Sequence, residues 1–141
     1  MIYDDLHAEA AALGTILFTI TTNDFEADLA RRAYTSHPVE YPVSGTKPME
    51  RNAWYDHVIR DHQTFVANTA PEFAVVFFDH ELITSLGLGS AVNIPVMLGD
   101  EVVGTVNLLA ETGHFTPEKL GAYEALVARH HDALATEMTK G

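Results

Sequence analysis

Two apolar, β-branched segments on either side of Gly99-Asp100 constrain the fold of this chain more than any other feature. Glycine and aspartate are typical of the tight turns that join antiparallel strands. The pattern therefore predicts a β-hairpin with strands over residues 90–97 and 101–109. At 141 residues the chain is long enough for one hydrophobic core, so we predict a single domain over residues 1–141.

Three polar residues, Asn93, Thr105 and Asn107, interrupt the apolar hairpin. A buried polar group without a hydrogen bond costs about 1–3 kcal/mol, so backbone, water or a ligand must meet each of them. Thr105 and Asn107 share one face, because alternate residues of a strand do. A two-residue loop would turn Asn93 to the opposite face, whereas a three-residue loop that pairs Met97 with Glu101 would turn it to the same face. The alternative interpretation is that these residues cap strand ends or bond neighbouring loops.

The composition excludes several classes of function. Eight Lys and Arg against 20 Asp and Glu give a formal net charge of −12, and Arg31-Arg32 is the only adjacent basic pair. Binding to a phosphate backbone or an anionic membrane needs clustered positive charge, so we expect no nucleic-acid and no membrane partner. The chain has no cysteine, which excludes disulfides, thiolate catalysis and thiolate metal sites. The N-terminus does not resemble a signal peptide and no apolar stretch approaches ~20 residues, so we expect a cytoplasmic protein.

The rest of the chain alternates between helical and strand patterns. Apolar spacing and turn residues predict helices over 2–13, 48–61, 69–87 and 117–138, and further strands over 15–22, 26–35 and 63–68. Segment 26–35 has helical propensity, but its position after a strand and a turn favours a returning strand. Segment 36–48 contains three prolines and a glycine and is predicted to be a loop. Short connections within each pair of strands imply antiparallel pairing, so we predict an α+β fold with an antiparallel sheet between layers of helix.

Motifs around the hairpin resemble those of a known family. They are Ile94-Pro95-Val96, Gly99-Asp100, Val103-Gly104-Thr105-Val106, the helix entered through Phe115-Thr116, and Leu86-Gly87 before the hairpin. From about residue 15 to residue 134 the chain resembles a GAF domain, a relative of the PAS sensor fold. The resemblance implies a central antiparallel sheet with the N- and C-terminal helices on one face and pocket-covering helices on the other. It also implies a pocket, since GAF domains bind cyclic nucleotides, tetrapyrroles, haem, amino acids or small aromatics, although some bind nothing and a few are enzymes.

The resemblance also limits the chemistry. Free methionine-(R)-sulfoxide reductases of this type use cysteine thiols and carboxylates along the same hairpin, and the absence of cysteine excludes that reaction. Where those enzymes place a carboxylate, two positions after Thr105, this chain has Asn107, which keeps a polar pocket without its negative charge. Attachment of a phytochrome-like chromophore also needs a cysteine, and the cyclic-nucleotide signature is not readable in this sequence. We therefore predict no cofactor.

Aromatic residues and one lysine extend the candidate site beyond the hairpin. In a GAF fold the loop and helices that cover the pocket would contribute Tyr34, Tyr41, Trp54, Phe77 and Phe78. Aromatic walls with a few polar points are typical of small-molecule sites, although plain core packing fits Phe77 better. Lys47 would lie at the start of a helix, where a lysine and hydroxyls can bind a carboxylate or phosphate. A solvated loop lysine is the alternative.

Three of the eight histidines follow an aspartate: His57, His62 and His80. His57 and His62 are five residues apart and would splay on one helix, so we predict no metal site. His80 shares a predicted helix face with apolar residues and is the histidine best suited to a pocket. A catalytic triad of Ser90, His80 and Asp79 has little support, because adjacent residues diverge on a helix.

These observations predict a stand-alone, cytosolic GAF domain that senses a small molecule. Its predicted ligand-binding residues are Tyr41, Lys47, Trp54, Phe78, His80, Ser90, Asn93, Thr105 and Asn107. Two alternatives stay open: a hydrolase or lyase that uses His80 or a polar pocket residue, and an interaction module whose own side chains fill the pocket. We also expect a homodimer through the amphipathic terminal helices, since such helices commonly bundle across a two-fold axis.

Overall fold

The computed structural model describes residues 1–140, and one antiparallel sheet lies at its centre. The six strands are β1 Leu17–Asp24, β2 Leu29–Thr35, β3 Thr46–Pro48, β4 Phe65–Ala67, β5 Ser90–Leu98 and β6 Glu101–Ala110. Their order across the sheet is β3-β2-β1-β6-β5-β4, and every neighbouring pair is antiparallel. The predicted α+β class and the returning strand within 26–35 are confirmed, whereas β3 forms inside the segment that was predicted to be a loop.

The helices are shorter than the sequence pattern predicts. They are α1 Ile2–Ala12, α2 Ala53–Tyr55, which continues as a π-helix over Asp56–Arg60, α3 Ala70–Ala74, α4 His80–Ser85, α5 Pro117–Arg129 and α6 His131–Met138. The helix predicted from residue 48 begins only at Ala53, because the Asn52 side chain accepts the Tyr55 N–H at 2.9 Å and caps it there. The helix predicted over 117–138 is interrupted at His130, between α5 and α6.

The helix predicted over 69–87 is two short helices, α3 and α4, joined by residues 75–79. This joint contains two valines and two phenylalanines, which have lower helix propensity than straight-chain residues. The Thr69 hydroxyl, at the N-cap of α3, accepts no backbone N–H and donates to the Glu72 carboxylate at 2.8 Å. Phe78 of the joint is 78% exposed, so this segment passes over the surface of the domain.

Helices cover both faces of the sheet, as the family resemblance implied. α1, α5 and α6 pack on one face, in a cluster that includes Leu6, Phe18, Val106, Tyr123 and Leu134. α3 and α4 cover part of the other face, in a cluster that includes Leu17, Phe73, Ile83 and Leu109. Because alternate residues of a strand point to opposite faces, β1 and β6 each contribute to both layers.

The hairpin has a two-residue loop, so the three-residue loop that the family resemblance favoured is wrong. The loop joins Leu98 to Glu101, and Gly99 within it has a φ of 64°, which glycine adopts readily. A β-bulge a few residues further along inserts one extra residue into β6. The bulge shifts the register by one residue, so Asn93 pairs directly with Asn107 and points to the same face.

Three buried side chains link α5 to the segment before β1 and to the segment after β6. Thr15 Oγ1 donates to the Tyr123 hydroxyl at 2.9 Å, and that hydroxyl lies 2.8 Å from His114 Nε2. Burial, and then the positive charge of Lys119, lowers the pKa of His114 from its usual 6.5. Folding therefore favours the neutral imidazole at this position.

The free energy of unfolding is expected to fall as the pH drops through 6.5, because His114 takes up a proton at higher pH in the unfolded chain than in the folded one. Urea unfolding at about pH 7.5, 6.5 and 5.5 measures this loss, and His114→Gln should reduce it. His131 is the matched control. The hydrogen bond to Asp132 raises the pKa of His131, so this histidine stabilises the fold at low pH and loses that effect as the pH rises. If His131→Gln removes the acid-side loss and His114→Gln does not, the assignment to His114 is wrong.

Candidate functional site

A cavity of about 550 Å³ lies between the sheet and the segments that cover its second face. The sheet wall consists of alternate residues of three strands, namely Leu17, Thr19, Thr21, Asn93, Thr105, Asn107 and Leu109. The other walls come from β2, α2, the α3–α4 joint and the 36–50 loop, which contains β3. They include Arg32, Tyr41, Lys47, Trp54, Phe77, Phe78 and Asp79. The volume falls within the range of about 300–1,000 Å³ that is usual for small-molecule sites.

A continuous chain of hydrogen bonds crosses the sheet wall. Trp54 Nε1 donates to Asn93 Oδ1 at 2.9 Å, and Asn93 Nδ2 donates to Asn107 Oδ1 at 2.8 Å. Asn107 Nδ2 in turn donates to Thr19 Oγ1 at 3.1 Å and to Thr21 Oγ1 at 2.9 Å. Other side chains of the protein therefore meet the buried asparagines that interrupt the hairpin.

The single tryptophan fixes the direction of every hydrogen bond in this network. An indole N–H only donates, so Asn93 must accept with its carbonyl oxygen and donate to Asn107 with its amide. Asn107 must then donate its two amide hydrogens to the hydroxyls of Thr19 and Thr21. Each of these hydroxyls accepts at its oxygen, which leaves its own hydrogen available to donate elsewhere. Thr105, which is also buried, adds a third hydroxyl to the same wall.

A half-buried arginine on the neighbouring strand also lines the cavity. Arg32 is the cross-strand partner of Thr21 in the β1–β2 pair and lines the cavity. Its guanidinium donates to the Pro42 carbonyl at 3.0 Å, and its guanidinium carbon lies 5.0 Å from the centroid of the Tyr41 ring. The cation–π contact and the carbonyl hold the side chain in place without neutralising its charge.

Contacts between the 36–50 loop and the α3–α4 joint form the mouth of the cavity. The Tyr41 hydroxyl donates to Asp79 Oδ2 at 2.7 Å. Burial, and then this bond, raises the pKa of Tyr41, so the phenol stays protonated and able to donate. Beside it, Lys47 Nζ lies 5.8 Å from the centroid of the exposed Phe78 ring. Access to the cavity therefore depends on a few contacts near the surface.

Comparison with known proteins identifies the family. The sequence profile of the GAF domain matches residues 2–129. This chain belongs to the GAF domain family.

Solved structures show the same fold. The GAF domain/HD domain protein from Geobacter sulfurreducens aligns with a TM-score of 0.75 at 12% identity, over 96% of this chain and 91% of that chain. The GAF domain of a two-component sensor histidine kinase from Bacillus halodurans aligns with a TM-score of 0.66 at 15% identity, over 95% and 96%. The blue-light absorbing form of the PixJ GAF domain from Thermosynechococcus elongatus aligns with a TM-score of 0.66 at 11% identity, over 89% and 77%. At these identities the likeness shows the fold alone, and no curated protein matches the chain.

In this GAF domain most of the predicted site residues lie together, and two do not. The cavity is lined by Tyr41, Lys47, Trp54, Phe78, Asn93, Thr105 and Asn107. Ser90 is buried on the opposite face of the sheet, where its hydroxyl donates to the Glu111 carbonyl at 2.6 Å, and His80 begins α4 outside the cavity lining. The enzyme alternative that relied on His80 therefore has no histidine in the cavity wall described by residues 1–140. Lys47 lies in β3 rather than at the start of a helix, because the next helix begins at Ala53.

The cavity wall also contains residues that were not predicted to bind a ligand, among them Thr19, Thr21, Arg32 and Asp79. The two threonines alternate with apolar residues in β1, so a search for polar residues at every second position would have found them. Arg32 lies in the segment with helical propensity, where its face could not be assigned before the strand was established.

Within residues 1–140, no three His, Asp or Glu side chains are placed so that they could hold a metal ion. Over the same residues, none of the helices has both the length and the apolar character that crossing a bilayer requires.

Proposed function

We propose that this GAF domain is a cytosolic sensor or regulatory module that binds a small molecule in the cavity. The observation that supports this most is the cavity of about 550 Å³, which has hydroxyl donors on one wall and aromatic rings on the others. Small-molecule sites combine an apolar enclosure with a few convergent polar groups in this way. The absence of cysteine is compatible with a reducing cytosol, and the net charge of −12 makes nucleic acid and anionic membranes unsuitable partners.

A bound molecule would act on the segments that cover the cavity. Tyr41, Trp54 and Phe77 come from three separate segments and face the same space. A ligand that contacts all three would favour the arrangement in which they lie together, and so would shift the population of the mouth towards a closed form. The GAF domain from Bacillus halodurans belongs to a sensor histidine kinase, which supports a regulatory role for the same fold here.

Thr105→Val is expected to weaken binding of a cavity ligand by about 2- to 12-fold, the effect of losing one hydrogen bond. The hydrogen-bond chain through Asn93 and Asn107 does not include Thr105, so the free energy of unfolding should change by less than about 1 kcal/mol. Thr22→Val, on the opposite face of β1, is the matched control and should leave affinity unchanged. A thermal-shift screen of neutral and charged fragments, followed by isothermal titration, measures this. Fragments that bind wild type and Thr105→Val equally, or a screen without any binder, would contradict the proposal.

We further propose a homodimer through α1, α5 and α6, which lie together on the face opposite the cavity. Their large apolar residues point to the sheet, while α5 exposes the small residues Ala122, Ala125 and Ala128, which allow another helix to approach closely. Light scattering at about 50 μM is expected to give twice the 15.5 kDa mass of the chain, and Ala125→Glu should halve the measured mass. A monomeric mass for the wild type would refute the dimer.

A further inference from the structure

We propose that the cavity binds an aromatic monocarboxylate, whose carboxylate accepts hydrogen bonds from Arg32 and from the hydroxyls of Thr19 and Thr21. The inference rests on the proposed function, because it names the chemical class of the ligand for the same cavity. Three features support it: a sheet wall with hydroxyls that can donate, an arginine in the cavity lining that forms no salt bridge within residues 1–140, and aromatic rings opposite.

The hydroxyl groups of the sheet wall can donate hydrogen bonds to a ligand. The hydroxyls of Thr19 and Thr21 each accept a hydrogen from Asn107 and keep their own O–H to donate to a ligand. Thr105 lies opposite Thr21 in the β1–β6 pair and adds a further hydroxyl. A carboxylate oxygen can accept two such bonds, so these three hydroxyls and the Arg32 guanidinium together suit a carboxylate better than they suit a cation.

Arg32 supplies the positive charge that a carboxylate needs. Directly opposite cross-strand residues have Cβ atoms about 4.5–5.5 Å apart, so Arg32 and Thr21 begin side by side, and both line the cavity. The arginines that form salt bridges within residues 1–140 are Arg51 and Arg60, which leaves Arg32 without a carboxylate partner in a chain with a net charge of −12. Of the five N–H donors of its guanidinium, one is bonded to the Pro42 carbonyl. The fork geometry that remains suits a planar carboxylate.

The balance of charges in the same walls favours a ligand with one negative charge. Glu40, Glu50 and Asp79 all line the cavity. Asp79 accepts the Tyr41 hydroxyl, and Glu50 is exposed at the rim. A dicarboxylate or a phosphate monoester would place its additional charge near these groups and would be repelled. Arg32 and Lys47 are the positive groups of the lining against three acidic residues, so a ligand with a single carboxylate adds the least further negative charge.

The body of the ligand meets aromatic rings. Tyr41, Trp54 and Phe77 line the walls that face the sheet. Offset-stacked and edge-to-face contacts with such rings favour a flat, apolar group over a flexible polar one. A cavity of about 550 Å³ has room for one or two fused rings with a short acidic side chain.

Isothermal titration with two matched pairs of probes tests the proposal: indole-3-acetate against indole-3-acetamide, and benzoate against benzamide. The members of a pair differ in whether the head group is charged. We expect at least one acid to bind about 10-fold or more tightly than its amide. Arg32→Gln should reduce the affinity for that acid by about 10-fold or more and change the affinity for the amide by less than about 3-fold. Arg31→Gln, whose side chain is exposed on the opposite face of β2, is the matched control and should change neither.

If Arg32→Gln proves unstable in urea unfolding, Thr21→Val takes its place, with Thr22→Val as the control. Thr21→Val should weaken binding of the acid about 2- to 12-fold. Amides that bind as tightly as acids would overturn the inference and leave small-molecule binding in place. If neither member of either pair binds at up to about 5 mM, the inference is also overturned, and the fragment screen described above then decides the proposed function separately.

Discussion

Asn107→Leu is expected to lower the free energy of unfolding by about 1–3 kcal/mol, because leucine leaves the Asn93 amide and two threonine hydroxyls without their buried partner. An asparagine that faced only a ligand would give the opposite result, since its replacement by leucine would leave stability unchanged or raise it. Urea unfolding of the wild type and the variant without ligand measures the difference.

Thr105→Val is the matched control for this experiment. Thr105 lies in the same cavity wall but outside the hydrogen-bond chain, so its free energy of unfolding should stay close to that of the wild type. If Asn107→Leu unfolds at the same urea concentration as the wild type, the hydrogen bonds of Asn107 do not stabilise the fold. That result would contradict the hydrogen-bond chain proposed for the sheet wall.

Gly104→Ala is expected to lower the free energy of unfolding by about 1–3 kcal/mol, because there is no space for a Cβ at this position. That atom would overlap the backbone carbonyl oxygen of Thr21 and lie 2.7 Å from Met138 Sδ. The backbone oxygen belongs to the neighbouring strand and cannot move without disturbing the sheet, so β1 must shift, and the Met138 side chain must move aside as well. Thermal or urea unfolding gives the size of the effect.

Gly121→Ala separates this steric effect from the general effect of replacing a glycine. Gly121 is exposed in α5, and a Cβ there would meet no atom of the described residues within 4 Å. Alanine at an exposed helical position is expected to raise the free energy of unfolding by about 0.5–1 kcal/mol. The same change in the free energy of unfolding for Gly104→Ala and Gly121→Ala would contradict the steric explanation for Gly104.

The sheet was predictable because each of its main strands has a pattern of its own. The Gly99-Asp100 turn and its apolar flanks located β5 and β6 to within a residue or two. The helices were less predictable, since their ends depend on particular contacts: Asn52 caps α2, and the joint at residues 75–79 interrupts a run that is apolar at helical spacing. A β-bulge has no sequence signature of comparable strength, so the loop length was predicted wrongly although Asn93 points to the expected face.

The candidate site was predictable where polar residues interrupt an apolar strand. Asn93, Thr105 and Asn107 were selected for that reason and all line the cavity. Ser90 satisfies the same criterion but lies on the other face, because it is an odd number of positions from Asn93. The direction of the hydrogen bonds could not be predicted, because it depends on the contact between Asn93 and Trp54. Trp54 comes from a distant helix, and no local sequence pattern indicates that contact.

Trp54 provides the most direct test of the claim that the cavity binds a small molecule. It is the only tryptophan of the chain, and its indole N–H donates to Asn93 in the cavity wall, so a ¹H–¹⁵N NMR spectrum contains one indole cross-peak that reports on this site. The spectrum is recorded during titration with a library of aromatic acids, amides and neutral fragments. We expect at least one compound to shift the Trp54 indole cross-peak in a saturable manner, together with the side-chain amide cross-peaks of Asn93 and Asn107. Compounds that bind without moving the Trp54 cross-peak, or a library in which nothing binds, would contradict the claim.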